Sequence, residues 1–213
     1  MNRKISVLIA DDHSILRAGV KRLLQEMPEI DRIEEAQDGE QVLKLMRTLA
    51  WDVLLLDLDM PGHDPLDVLR AVRHSYPDTA VLVLSMYPED QFALRTLKAG
   101  AAGYVSKQSA PDQLITAVRR VSEGGAYISA NLAAVLAKSM GAKPKDTIED
   151  LLSDREFTVL RGIASGKSMT QLGLELNLSA KTISTYRTRL LTKLNLHSNA
   201  ELIRYAAEHR LIK

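Results

Sequence analysis

From Ile5 onward, short continuous runs of apolar residues alternate with longer segments in which apolar residues recur three and four positions apart. A short unbroken run is the pattern of a strand covered on both faces. The three-and-four spacing is that of a helix with one buried stripe. The runs predict strands at 5–10, 33–37, 53–57, 80–85 and 103–106. The periodic segments predict helices near 14–26, 39–49, 65–75, 89–99 and 111–123, with Val42, Leu45, Met46 and Leu49 marking one stripe. Strands and helices alternating in this way predict a five-stranded parallel, doubly wound α/β sheet.

The strands then stop. Residues 130–140 predict a connecting helix, and Gly141-Ala-Lys-Pro-Lys-Asp-Thr147 is polar, aperiodic and breaker-containing, as a linker would be. Beyond it only helical periods follow, near 154–165, 168–176, 179–194 and 198–208. Ser153 with Glu156 three residues on has capping-box spacing, and Ser179 is placed to cap the third of these helices. The domain reading is therefore 1–125 for the α/β unit, 126–150 for a linker with its connecting helix, and 151–213 for a small all-α domain.

Composition supports two cores rather than one, since 213 residues at 46% hydrophobic content suffice for both. Aromatics at 4% leave Leu, Val, Ile and Ala to fill them, which argues against a β-sandwich. The absence of cysteine excludes disulfides, thiolate metal sites and cysteine nucleophiles, and fits a reducing compartment. The first apolar run ends abruptly at Asp11, too soon for a signal peptide or membrane span, so a cytoplasmic protein without a membrane anchor is expected. The net charge of +1 hides an asymmetry: residues 154–213 carry 10 basic and 5 acidic side chains, against 18 and 22 before them. A basic C-terminal unit suits a polyanionic partner, although ordinary surface charge accounts for the numbers equally well.

In a doubly wound sheet, ligands bind beyond the carboxyl ends of the strands. Asp11 and Asp12 follow the first strand there; Asp57 and Asp59 follow the third, just before a turn-forming Pro61-Gly62. Carboxylates converging on one crevice repel one another unless a hard cation joins them, and an all-oxygen set suits Mg²⁺. Ser85 and Lys107 end the next two strands and reach the same rim. Each alone reads as a cap or a solvated strand end. Together with a carboxylate nucleophile they supply the donor and positive charge that phosphoryl transfer needs.

Val7-Leu-Ile-Ala-Asp-Asp-His13, Leu54-Leu-Leu-Asp-Leu-Asp-Met-Pro-Gly62, Leu84-Ser85 and Gly100-Ala-Ala-Gly-Tyr-Val-Ser-Lys107 resemble a receiver domain of the two-component type, with its flavodoxin-like fold. The resemblance implies that Asp57 is the phosphoacceptor, with a sensor histidine kinase or phosphotransfer protein as donor. It implies Asp12 and Asp57 as direct Mg²⁺ ligands, Asp11 near the ion, the backbone carbonyl of Asp59 as a further ligand, and Ser85 and Lys107 as phosphoryl contacts. Ser85 and Tyr104 match the family's switch positions. Three residues depart from the usual pattern: Pro65 for a common Gly, Gln108 for a common Pro, and Asp59 for a frequent Asn. His13 reads as structural.

Leu152-Ser-Asp-Arg-Glu-Phe-Thr-Val-Leu160, Ile163-Ala-Ser-Gly-Lys167 and Leu178-Ser-Ala-Lys-Thr-Ile-Ser-Thr-Tyr-Arg-Thr-Arg-Leu-Leu-Thr-Lys-Leu194 resemble the LuxR/NarL-type helix-turn-helix. The third helix is basic on one side and apolar on the other, as a helix docked in a major groove must be. Ser184, Thr185 and Thr188 point away from Ile183 and Leu190 and are the candidate base readers. Lys181, Tyr186, Arg187, Arg189 and Lys193 are the candidate phosphate contacts. Met169 and Gly173 depart from the usual residues of the preceding helix, and a glycine there weakens a helix by up to about 1 kcal/mol relative to Ala. The resemblance implies a non-enzymatic transcriptional regulator that binds double-stranded DNA and acts as a homodimer. A phosphate-ester-hydrolysing enzyme and a receiver that works unphosphorylated are the competing readings.

Overall fold

The computed structural model describes residues 4–60, 63–86, 89–134, 152–176, 178–209 and 211. The chain divides into two compact units, Met1–Lys143 and Pro144–Lys213.

In the first unit the elements run β1 (Ile5–Ala10), α1 (Ser14–Gln25), β2 (Ile30–Ala36), α2 (Gly39–Thr48), β3 (Val53–Leu56), α3 (Pro65–Ser75), β4 (Ala80–Ser85), α4 (Glu89–Lys98), β5 (Gly103–Ser106) and α5 (Pro111–Ser122). The sheet is parallel throughout, in the order β2-β1-β3-β4-β5. Alternate residues of the central strands serve opposite faces. Val53 and Leu55 join the core beneath α1 and α5 with Val20, Leu24, Leu114 and Val118. Leu54 and Leu56 join the core beneath α2 and α3 with Val42, Met46, Leu69 and Val72. A strand covered on both sides has no polar position, which is why β3 reads as an unbroken apolar run.

Helices α2 and α3 start where a short polar side chain accepts from one of their first amide groups. Asp38 accepts from the Gln41 amide at α2, and Asp64 accepts from the Leu66 amide at α3. Pro65 therefore occupies the first position of α3, where its fixed φ and missing amide hydrogen cost nothing. Its departure from the common Gly has a local explanation.

Three readings from sequence are corrected. β2 spans Ile30–Ala36 instead of 33–37, because as an edge strand it tolerates Asp31 and Arg32 within it. β3 stops at Leu56, leaving Asp57 just past the strand. The segment 126–150, read as a linker with its connecting helix, packs on the first unit at its start. The Tyr127 amide donates to the Ala102 carbonyl at 2.9 Å, Tyr127 bridges Gly103, and Leu132 is fully buried. Gly103 is required there: a Cβ would lie 2.7 Å from the Tyr127 carbonyl oxygen. Ser129 donates to Glu89 at 2.6 Å and accepts from the Leu132 amide, opening a helical stretch at 130–134. The rest of the expected connecting helix and the 141–147 linker lie outside the described residues.

The second unit contains α6 (Asp154–Ala164), α7 (Met169–Glu175), α8 (Ala180–Leu194) and α9 (Asn199–Glu208). Val159, Leu160, Leu172, Ile183, Leu190 and Leu202 are all nearly or fully buried and form its centre. Ser153 and Glu156 make the expected capping box, and Ser168 and Gln171 make a second at α7. Ser179 caps α8 through the Thr182 amide. Among the described residues no helix is long and apolar enough to cross a membrane.

Candidate functional site

The backbone aims the acids of the first unit. The Asp57 amide donates to the Ala10 carbonyl and the Asp11 amide to the Ala36 carbonyl, continuing the β1–β3 and β1–β2 ladders one step beyond the strands. Ligand atoms of Asp11, Asp12, His13 and Asp57 all lie within 4.8 Å of one another. Lys107, fixed beyond β5 by its backbone N–H donating to the Ser85 carbonyl, brings its ammonium 2.8 Å from both Asp11 Oδ2 and Asp57 Oδ2. Asp57 Oδ1 is buried without a hydrogen-bond partner among the described residues. An unsatisfied carboxylate oxygen among oxygen donors fits a hard divalent cation.

Of the other expected residues, Ser85 and Tyr104 are fully buried at the ends of β4 and within β5. Asp59 is half-buried, and its charge reaches Asp57. His13 precedes α1, donates its amide to Asp11 Oδ1 and places Nδ1 2.7 Å from Asp12 Oδ1.

Burial pushes the Asp57 carboxyl up to about 6; Lys107 opposes that shift, and the Asp11 and Asp59 charges add to it. Burial draws the Lys107 ammonium down, but the charge of Asp57 and the bonds to both carboxylates outweigh it and hold it above its ordinary value.

A carboxyl whose folded value lies above its unfolded one favours the native state only while protonated. The native state therefore loses stability as pH rises from the ordinary 3.8, and the loss is complete above about 6. Asp57→Asn without divalent metal should be about 3 kcal/mol more stable than wild type at pH 7.5. The gain should vanish below pH 4. Thermal melts in chelator across that range test this, and a variant less stable at pH 7.5 would contradict it.

Sequence reading missed Arg17. It is buried, donates from Nη1 to the Asp11 carbonyl at 2.6 Å and from Nε to Glu35 at 2.9 Å. The signal was present: Arg17 lies three and seven residues before Val20 and Leu24, on the buried stripe of α1.

In the second unit, Lys181, Ser184, Thr185, Thr188 and Arg189 are exposed on α8, opposite the buried Ile183, Leu190 and Leu194. Tyr186 and Arg187 are half-buried. Two of the expected phosphate contacts already have partners in their own domain. Lys193 Nζ lies 2.6 Å from the buried Glu156 carboxylate, and Arg187 Nε lies 2.6 Å from Asn199 Oδ1. Lys193 thus ties α8 to the start of α6. The Thr185 and Thr188 hydroxyls donate to the Lys181 and Ser184 carbonyls within the helix.

The turn before α8 explains Gly173. Its carbonyl accepts from the Leu178 amide, and an added Cβ would meet the Leu178 carbonyl oxygen at 2.6 Å. The propensity argument alone favours Ala by up to about 1 kcal/mol, but the backbone clash reverses the sign. Gly173→Ala should destabilise the domain by about 1–3 kcal/mol, measured by denaturant unfolding. An unchanged or raised midpoint would refute it.

Residues 7–119 match the response regulator receiver domain family, and residues 150–206 match the bacterial regulatory proteins of the luxR family. The chain belongs to the response regulators with a LuxR-type output domain. This regulator is 37% identical over 209 residues to the response regulator UvrY of Escherichia coli K12, spanning 97% of this chain and 95% of that one. It is 38% identical to the response regulator GacA of Pseudomonas aeruginosa, spanning 98% of both. Among solved structures, the regulator is similar to RcsB of Salmonella enterica serovar Typhimurium bound to promoter rprA in the presence of the phosphomimetic BeF3⁻. That likeness has a TM-score of 0.62 and 27% identity, and covers 96% of this chain and 99% of that one.

Proposed function

We propose that Asp57 accepts one phosphoryl group from a histidine kinase or phosphotransfer protein, and that this controls binding of promoter DNA by α8. The observation that carries the proposal is the buried Asp57 carboxylate, with one oxygen unpartnered among the described residues and the other 2.8 Å from Lys107. An Asp57 oxygen forms the new bond to phosphorus as the bond from phosphorus to the donor's leaving atom breaks. Lys107 and the Ser85 hydroxyl hold the phosphoryl oxygens. Asp11, Asp12, Asp57 and the Asp59 carbonyl would hold Mg²⁺. The bound ion supplies positive charge that offsets carboxylate repulsion and the charge of the phosphoryl oxygens. The chain takes up the group stoichiometrically and does not turn over phosphate esters, and it acts in the cytoplasm, where promoter DNA lies.

Ser85 and Tyr104 sense the added group and pass the change to α4 and β5. The active form is a homodimer, because one short helix-turn-helix reads too few base pairs to select a genomic site. Solved RcsB structures, one described as two dimers bound to two parallel DNAs, support this reading. Ser184, Thr185 and Thr188 read bases; Lys181, Tyr186, Arg187 and Arg189 contact phosphates. Lys193 remains a weaker member of that set, given its bond to Glu156. Converting an inactive population at 1:99 to an active one at 99:1 takes about 5.5 kcal/mol of differential phosphoryl affinity.

Sedimentation and DNA titration with a fluoride-based phosphoryl mimic test the switch. A dimer and tighter DNA binding are expected on adding the mimic with Mg²⁺. A monomer with unchanged DNA affinity throughout would overturn the switch and leave the domain assignments standing.

A further inference from the structure

The Asp11 carbonyl lies just past β1, at the turn into α1, rather than within the strand. It accepts from Arg17 Nη1 at 2.6 Å. The other polar groups of Asp11 are also committed: its amide to Ala36, Oδ1 to the His13 amide at 2.7 Å, and Oδ2 beside Lys107 at 2.8 Å. With all four fixed, the residue cannot rotate away from the crevice. Arg17 is itself held by Glu35 on β2, which also takes Lys21 of α1 at 2.6 Å. A buried guanidinium is costly unless paired and hydrogen-bonded, and here a single arginine joins α1, β2 and the acidic turn.

We infer that Arg17, held by Glu35, is a positioning residue for the divalent-cation site: it clamps the Asp11–Asp12 turn against the mutual repulsion of the carboxylates. The inference rests on the proposed Mg²⁺ site. It adds that the site's affinity is set partly from α1, by a side chain that touches neither cation nor phosphoryl group. Partners behind a ligand shell commonly govern metal affinity in this way.

The test is calorimetric titration of the unphosphorylated full chain with Mg²⁺ at a temperature well below unfolding, alongside the thermal midpoint. Arg17→Met should weaken Mg²⁺ binding about tenfold. Arg17→Lys should restore part of the loss, since it keeps the charge and one donor. Glu35→Gln, which leaves the carbonyl bond but loosens its holder, gives a smaller loss in a protein expected to fold if Arg17→Met does not. Arg32→Met is the control for structure alone: Arg32 also donates to a backbone carbonyl, Ala50, and stacks over Trp51, in a cluster that contains none of the acids. It should lower the midpoint and leave Mg²⁺ affinity unchanged. Equal Mg²⁺ affinities for wild type, Arg17→Lys and Glu35→Gln would overturn the inference, as would an equal loss in Arg32→Met. If wild type itself binds no Mg²⁺, the site reading falls, which is a distinct result.

Discussion

Asp57→Asn is expected to take up no phosphoryl group from a small phosphodonor under conditions in which wild type gains one, read by intact mass with and without Mg²⁺. Asp57 is the acid that combines near-complete burial, an oxygen without a hydrogen-bond partner among the described residues and an ammonium at 2.8 Å. Asp11 is equally buried, but its Oδ1 accepts from the His13 amide and its carbonyl is held by Arg17. Asp12 pairs with His13. An amide at position 57 cannot act as the nucleophile, so the loss should be complete rather than partial. Lys107→Ala should slow uptake without abolishing it, because it removes charge from the transferring oxygens and leaves the nucleophile in place. Phosphorylation of Asp57→Asn at the wild-type rate would move the acceptor elsewhere.

The second large effect is electrostatic. Lys181, Arg189 and Lys193 are the exposed cations of α8; with Lys193 paired to Glu156, the other two give a dimer four such contacts. At about 0.9 per contact, raising salt from 50 to 200 mM should weaken DNA binding about 100-fold or more. Arg189→Ala should reduce the slope of log K against log salt by about 1.8 for a dimer and weaken all sequences alike. Thr185→Ala should leave the slope unchanged and cost about 1–3 kcal/mol of discrimination at one base position. Fluorescence anisotropy on specific and scrambled duplexes at several salt concentrations separates these outcomes. A slope change in Thr185→Ala with none in Arg189→Ala would show the two roles exchanged.

The elements legible in the sequence were those whose burial is unconditional. β1, β3, β4 and β5 carry apolar residues on both faces because helices cover both, so their centres could be read directly. The acids and Lys107 were legible because charged groups at the ends of such strands have no structural reason to converge. What escaped depends on contacts distant in sequence. Asp31 and Arg32 hid the start of β2, which as an edge strand is only half covered. The place of Arg17 on the buried stripe of α1 was legible, but its partner Glu35, 18 residues away, was not. Lys193 looked available for a phosphate because Glu156 lies 37 residues away along the chain. In each case a charged residue's partner is set by tertiary approach, which periodicity does not encode.

The short bridge between Tyr127 and Gly103 has a consequence for keeping the receiver from associating with copies of itself. β5 ends the sheet, and an uncovered strand edge offers unpaired amide and carbonyl groups to any other chain. Tyr127 occupies part of that edge, and Leu132, further along the same segment, is buried. A receiver excised at residue 125 would lose this cover and present the outer rim of β5 as a template for intermolecular pairing. One excised after residue 134 would carry its own guard.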